Sequence, residues 1–345
     1  MIKIGITATS SVVPKIEFER GVEFLRTQGF EVEVHPIVLQ NEFLYTATDE
    51  DRARALIEFS EREDLDAIWC ARGGYGATHL LPHLDRWKKR LGTKRTDQKR
   101  VKKKTLLGFS DITALLQWYH THLNWPVIHS PMPSARTFSV LRISEWNAIR
   151  NALLASMGLE KRKPYAHSLK AVHVPKGFKG ARAPVVGGNL AVWCSMLGTP
   201  SQGSTRGKIL FLEEIGENFG RINRMLHQLE QAGGLKGCRA IVVGDFSDCK
   251  DSVPVGLKAS PASTLTGDAL EGFLRNPPKE ALGFLRPSME LNPALHRIFS
   301  DLGARTGIAV YSGLPMGHGD SDLPLVLGLE HTLTRTGKFS LSLKK

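Results

Sequence analysis

Short apolar segments alternate with amphipathic segments over the first 125 residues, and this alternation constrains the fold more than any other feature. Runs of mainly apolar or alternating residues predict strands at 2–8, 30–36, 67–71 and 105–109. Apolar residues at helical spacing predict helices at 14–28, 48–62 and 111–122. Strands that alternate with helices in this way are typical of a parallel α/β sheet.

The second half of the chain predicts another mixed α/β unit. Strands at 208–212 and 240–243 enclose a helix that ends at Gly233-Gly234. We therefore predict a fold of two parts, an N-terminal parallel-sheet domain with helices on both faces and a second mixed α/β domain. The predicted boundaries are 1–155 for the first domain, 156–183 for a linker rich in Lys, Gly, Pro and His, and 184–345 for the second. Segment 247–290 predicts only short helices, around 268–274 and 280–285.

Composition limits the class of protein. With 41% hydrophobic and 23% charged residues among 345, the chain has the balance of a globular protein. It contains no apolar run of about 18 residues that could cross a membrane. The N-terminus reads as a strand rather than a secretory signal, which predicts a cytoplasmic location. Four scattered cysteines predict reduced thiols, and the sequence contains no H-E-x-x-H zinc motif.

The net charge of +12 is concentrated in one stretch. Residues 88–104 contain ten Lys or Arg and one Asp, so this stretch carries nine of the twelve net charges. Such a cluster could bind a polyanion through its phosphates. It contains no aromatic side chain on which a base could stack, so a solvated loop is the better explanation and binding of nucleic acid is not expected.

Four segments carry residues suited to catalysis. G-F-S-D-I-T at 108–113 places Ser110 between a strand and a helix, as in a nucleophile elbow, although the second glycine of that motif is absent and a helix-capping serine is an alternative. R-G-G-Y-G at 72–76 either offers backbone amides to a substrate or forms a tight turn. L-E-E-I-G-E at 212–217 ends an apolar strand, and G-L-P-M-G-H-G-D at 313–320 places His318 in a loop; both could also be ordinary surface features.

Taken together, these segments resemble the LD-carboxypeptidase family of serine peptidases, which includes muropeptide carboxypeptidases and microcin C immunity peptidases. The likeness spans nearly the whole chain. The matching motifs are I-G-I-T-A-T-S-S at 4–11, A-R-G-G-Y-G at 71–76, G-F-S-D-I-T at 108–113, G-G-N-L at 187–190, G-T-P at 198–200, I-L-F-L-E-E at 209–214, R-M-L-H-Q-L at 224–229, G-D-F at 244–246 and G-L-P-M-G-H at 313–318.

The resemblance implies a role for each catalytic segment. It implies a triad of Ser110 as nucleophile, Glu213 as acid and His318 as base, at an interface between two domains. Backbone amides of Gly74 and Asp111 are then expected to form the oxyanion hole.

Gly73, Arg72 and Asn189 are weaker candidates for substrate contact. No metal or organic cofactor is expected, and the family implies a homodimer.

The implied activity is hydrolysis of an L,D peptide bond that releases terminal D-alanine from a cell-wall muropeptide tetrapeptide during peptidoglycan turnover or recycling. The alternative within the family is cleavage of a peptidyl or aminoacyl nucleotide, as in microcin C immunity. An alternative from another class is a polyanion-binding module acting through residues 88–104. The chain departs from the family pattern at Thr9, where the family has proline, and at Ser130, where the family has glycine.

Overall fold

The computed structural model describes residues 1–91, 101–160, 165–250, 291–319 and 323–342, which form two β-sheets and the helices packed on them. The strands are β1 (Lys3–Thr7), β2 (Glu31–Val34), β3 (Ala67–Cys70), β4 (Thr105–Gly108), β5 (Val127–His129), β6 (Ala166–Ser168), β7 (Lys170–His173), β8 (Gly180–Asn189), β9 (Ile209–Ile215), β10 (Ala240–Ser247), β11 (Val310–Ser312), β12 (Leu325–Leu327), β13 (Glu330–Thr334) and β14 (Lys338–Leu341). The helices are α1 (Lys15–Thr27), α2 (Asp49–Glu61), α3 (Leu81–Arg90), α4 (Thr113–Leu123), α5 (Ile143–Ser156), α6 (Leu190–Ser195), α7 (Phe219–Gln231) and α8 (Pro293–Thr306).

The first sheet has six strands in the order β12-β5-β4-β3-β1-β2. Neighbouring strands from β5 to β2 are parallel, whereas β12 is antiparallel to β5. Strands β3 and β4 are buried along their whole length, as expected for a parallel sheet covered on both faces. The predicted α/β class and the parallel arrangement of the N-terminal strands are confirmed.

The second sheet has eight strands in the order β6-β14-β13-β8-β9-β10-β11-β7. Its centre, from β8 to β11, is parallel, and the flanking strands pair in antiparallel fashion. The second unit is therefore mixed α/β, as predicted. Because parallel strands in one sheet all end at the same edge, β8, β9, β10 and β11 present their carboxyl ends together.

Local signals in the sequence explain where the first helices begin and end. Helix α1 starts directly after Pro14 and stops before Gly29, whose φ is +85°. Helix α2 starts after Thr48, whose hydroxyl accepts a hydrogen bond from the amide of Asp51 at 3.1 Å. In place of the single helix predicted at 111–122, the structure has a short 3-10 turn, Ser110–Ile112, followed directly by α4.

Two parts of the chain depart from the predicted boundaries. Part of the segment predicted as a linker, 156–183, forms β6, β7 and the start of β8 in the second sheet. Strands β6 and β7 lie at the sheet edges and are largely exposed, so they lack the apolar alternation by which a strand is recognised. Strand β12, which falls in the predicted second domain, completes the first sheet. The short helices predicted at 268–274 and 280–285 lie outside the described residues.

A buried arginine ties together the loops that follow the strands of the first sheet. The guanidinium of Arg52 donates to the carbonyls of Thr9 at 2.6 Å, Ala47 at 3.1 Å and Gly76 at 3.3 Å, and it also pairs with Asp49. Its side chain is fully buried. Since buried carbonyls need partners, Arg52 stabilises the loops around the glycine-rich turn at 72–76.

We expect Arg52→Leu to lower the free energy of unfolding by about 3 kcal/mol, because it leaves buried carbonyls without a donor. Chemical denaturation measures the change. The matched control is Arg54→Leu on the same helix, since Arg54 is exposed and pairs only with surface acids. The control should change the stability by no more than about 0.5 kcal/mol. Equal stability of the two variants would contradict the role given to Arg52.

Candidate active site

Ser110 lies at the point where β4 ends and the 3-10 turn before α4 begins. Its φ is +61°, a conformation that is uncommon for residues other than glycine. Such strain often occurs at functional sites, where the surrounding structure holds the residue in place. The side chain is partly exposed, and the turn lies at the carboxyl edge of the parallel strands, where α/β sheets bind ligands.

The glycine-rich turn lies directly beside Ser110. A Cβ placed on Gly73 would come within 3.2 Å of the Cβ of Ser110. Gly74 has a φ of +108°, and a Cβ there would lie 2.4 Å from Oγ of Ser11, so this position requires glycine. The amide of Tyr75 donates to the same Ser11 Oγ at 3.1 Å, which holds the turn against the loop after β1.

The side chain of Asp111 braces these loops. Its Oδ2 accepts hydrogen bonds from Ser10 Oγ at 2.7 Å and from the amide of Ala77 at 2.8 Å. Burial raises the pKa of this carboxyl, while the two hydrogen bonds oppose the rise. From the sequence only the backbone amide of Asp111 was assigned a role, so this side-chain role was missed. An acidic residue directly after the candidate serine was the available signal.

Glu213 and His318 form a hydrogen-bonded pair. Nδ1 of His318 lies 2.7 Å from Oε2 of Glu213, although the two residues are 105 positions apart in the chain. Glu213 is one of the last residues of β9 and is fully buried, whereas His318 lies in the loop after β11 and is 16% exposed. This contact leaves Nε2 as the ring nitrogen that can act on another group.

Opposing effects act on the pKa of His318. Burial lowers the pKa of His318. The hydrogen bond and the negative charge of Glu213, with smaller contributions from Glu214 and Asp245, together raise the pKa by more than burial lowers it. The net pKa of His318 therefore lies above its ordinary value. An imidazole held in one orientation and made more basic in this way is suited to accept a proton.

Aromatic contacts connect the Ser110 turn with the His318 loop. The ring of Phe109, the residue before Ser110, lies 4.7 Å from the His318 ring between centroids. On its other side Phe109 contacts His129, and His129 contacts Phe211 of β9. The carboxyl ends of the two sheets therefore meet around this cluster.

His129, the last residue of β5, is a neighbour of the site that was not predicted from the sequence. Burial lowers the pKa of His129 to about 4, so the ring is neutral near pH 7. It therefore places no positive charge beside Glu213, and the charge of that carboxylate acts on His318.

Two of the three weaker substrate-contact candidates, Asn189 and Arg72, have side chains that are engaged within the protein. Asn189 caps α6 by accepting from the amide of Val192 at 3.2 Å, and it donates to Glu214 at 2.8 Å. Arg72 donates to the backbone carbonyl of Val12. Contact of either side chain with a substrate stays a prediction.

Part of the basic stretch contributes to the core rather than to a binding surface. Lys104 is buried, and its Nζ donates to the carbonyl of Ser60 at 2.8 Å. Burial lowers the pKa of Lys104 to about 8. Lys102 pairs with Asp66 at 2.9 Å. Lys104 is therefore not free to bind a polyanion. Residues 92–100 lie outside the described residues.

Two further observations concern the described residues as a whole. Within residues 1–91, 101–160, 165–250, 291–319 and 323–342, no cluster of three or more His, Cys, Asp or Glu side chains is arranged to hold a metal ion. No helix in these same ranges has the length and apolar character needed to cross a bilayer.

Comparisons with known proteins assign the family. Models of the LD-carboxypeptidase N-terminal and C-terminal domains match residues 4–130 and 182–333. The murein tetrapeptide carboxypeptidase of Pseudomonas aeruginosa is 27% identical over 92% of this chain and 88% of its own length. The probable murein peptide carboxypeptidase of Bacillus subtilis is 30% identical over 73% of each chain. The chain belongs to the LD-carboxypeptidase family, a family of peptidases.

Solved structures agree with this assignment. The muramoyltetrapeptide carboxypeptidase from Oxalobacter formigenes superposes with a TM-score of 0.71 at 26% identity and covers 98% of this chain and 97% of its own. The microcin C7 self-immunity protein MccF, in complex with aspartyl sulfamoyl adenosine, has the same fold, with a TM-score of 0.72 at 17% identity and coverage of 99% and 96%. The resemblance stated from the motifs is confirmed.

We expect Glu213→Gln to lower the pKa of His318, since the charge and hydrogen bond of Glu213 are what raise it above 6.5. NMR titration of ¹⁵N-labelled histidine measures this change, and the internal control is His331, whose pKa burial lowers to about 4 with no contribution from Glu213. Because folding raises the pKa of His318, its contribution to stability is fully present below pH 6.5 and is lost as the pH rises through the folded-state pKa. An unchanged His318 titration in the variant would contradict this electrostatic assignment.

Proposed function

We propose that this protein is a serine-type LD-carboxypeptidase that releases terminal D-alanine from cell-wall tetrapeptides. The observation that carries the proposal is the hydrogen bond between His318 and Glu213 beside the Ser110 turn. Membership of a carboxypeptidase family and relatives named for murein peptides support the substrate class.

In the proposed mechanism, Ser110 Oγ attacks the carbonyl carbon of the scissile peptide bond. His318 accepts the Ser110 proton at Nε2 and then gives it to the leaving amino group of D-alanine. The resulting acyl-enzyme is hydrolysed by a water that His318 activates in the same way. Glu213 holds the imidazole in the required tautomer and stabilises its protonated form.

Backbone amides are proposed to stabilise the oxyanion. The amide of Asp111 belongs to the first turn of a helix, where amides have no acceptor within the helix. The amide of Gly74 lies in the turn beside Ser110, and the positive φ of Gly74 sets its direction. Charge that develops on the carbonyl oxygen in the transition state is the natural partner of such preoriented donors.

We expect Ser110→Ala to lower kcat for release of D-alanine by about 10⁴-fold, because the nucleophile is lost. Mass spectrometry of a tetrapeptide ending in D-alanine measures the product. The matched control is Ser195→Ala, since that hydroxyl only donates to Val192 within its own helix. A tetrapeptide ending in L-alanine should stay intact in every case. Unchanged turnover by Ser110→Ala would refute the proposed nucleophile.

The same assay separates the two substrate classes of the family. Under the proposal the tetrapeptide is cleaved with a higher kcat/KM than a peptidyl or aminoacyl adenylate analogue. The reverse order would assign the chain to the function suggested by the name of MccF, whose structure contains aspartyl sulfamoyl adenosine.

We expect kcat/KM to fall as the pH drops through the raised pKa of His318, because only the neutral imidazole can accept the serine proton. In Glu213→Gln this acid limb should move to lower pH, while kcat also falls because the protonated imidazole loses its counter-charge. Initial rates measured across the pH range show both effects. An acid limb that stays in place in Glu213→Gln would show that another group controls it.

A homodimeric state is part of the proposal on the strength of the family resemblance alone, and the cytoplasmic location stays a prediction from the sequence. Light scattering of the purified protein measures the oligomeric state directly.

A further inference from the structure

We propose that Thr113 is a positioning residue, whose hydroxyl holds the carboxyl end of β8, and with it Glu213 on β9, in register with Ser110. The inference rests on the proposed function, because it concerns the geometry of that catalytic site. It assigns a role to a residue outside the triad and outside the proposed oxyanion hole.

The contact that carries the inference joins helix α4 to the end of β8. The backbone amide of Asn189, the last residue of β8, donates to Oγ1 of Thr113 at 3.0 Å. Thr113 is the first residue of α4, three positions after Ser110, and it is fully buried. One end of the hydrogen bond is therefore attached to the turn that carries the proposed nucleophile.

The other end is attached to the strand that carries the proposed acid. Asn189 lies opposite Glu213 in the parallel pairing of β8 and β9, at the end of a register that begins with Val185 and Ile209. A shift of β8 along or away from α4 therefore moves its partner strand and Glu213. Because Glu213 holds His318 at 2.7 Å, the imidazole moves with them.

Asn189 is itself rigidly held. Its Nδ2 donates to Oε1 of Glu214 at 2.8 Å, and Oε2 of Glu214 accepts from the amide of Ala191 at 2.8 Å. Both Asn189 and Glu214 are buried. The amide that contacts Thr113 thus belongs to a fixed group rather than to a loop that could adjust its position.

Glycine at position 188 permits the end of β8 to lie close to Thr113 on α4. A Cβ on Gly188 would lie 2.4 Å from Oγ1 of Thr113, and the φ of Gly188, +143°, disfavours any other residue. The absence of a side chain at Gly188 therefore leaves the room in which the Thr113 hydroxyl reaches the Asn189 amide. Displacements near 1 Å in a catalytic site cost about 10²-fold in rate, so this contact is placed to control turnover.

The test compares Thr113→Val, which keeps the side-chain shape but removes the hydroxyl, with Thr113→Ser, which keeps the hydroxyl. We expect kcat of Thr113→Val to fall about 10- to 100-fold, with KM within about twofold and the acid limb unmoved, because the Glu213–His318 contact is untouched. Thr113→Ser should retain most of the activity. The matched control is Thr105→Val on β4. It removes a hydroxyl that pairs with Ser156 of α5 at 2.7 Å, and it should leave kcat unchanged.

A second readout does not depend on activity. Hydrogen exchange of the Asn189 amide should be faster in Thr113→Val than in the wild type or in Thr113→Ser, because this amide loses its acceptor. If Thr113→Val does not fold, Thr113→Ala serves for both measurements, because it also removes the hydroxyl and adds no apolar atom.

Three outcomes would overturn the inference. They are a kcat in Thr113→Val equal to that of Thr105→Val, equal losses in Thr113→Val and Thr113→Ser, and unchanged exchange at Asn189. Failure of the proposed function is recognised separately, since it would appear as full activity in Ser110→Ala. In that case the exchange measurement would still decide whether Thr113 holds β8.

Discussion

Parallel strands in both sheets end around one aromatic cluster that contains Phe109 and His318, and the positions of the proposed catalytic residues depend on this constraint. Ser110 follows β4 in the first sheet, whereas Glu213 and His318 belong to β9 and the loop after β11 in the second. Neither sheet contains a complete set of catalytic groups. The contacts of Phe109 with His318, and of Thr113 with Asn189, connect elements of the first sheet's side with elements of the second.

The electrostatics of the site follow from its burial. Glu213 is fully removed from water, and a buried carboxylate is costly unless it is paired. Its hydrogen bond to His318 offsets this cost and raises the pKa of the imidazole against the opposing effect of burial. The neutral ring of His129 leaves this interaction without a competing positive charge. The environment of the pair thus favours a base of defined orientation.

The sequence predicted the elements whose signals are local. Pro14, Gly29 and Thr48 mark helix ends that the structure confirms, and Ser110 was placed correctly at a strand-to-helix turn. The edge strands β6 and β7 were missed because exposed strands need no apolar alternation. The role of the Asp111 side chain was missed for a different reason, since its partners Ser10 and Ala77 are distant in the chain.

The order of motifs along the chain was by itself enough to predict the α/β class and the family, and to propose three residues for catalysis. The tertiary structure alone decided that Glu213 and His318 are in contact across 105 positions, and that the hydroxyl of Thr113 on α4 contacts the end of β8. The physical reason is the distance along the chain between the residues that interact. Helix ends and strand turns depend on neighbouring residues, whereas contacts between sheets depend on strand order, register and the room that Gly188 leaves.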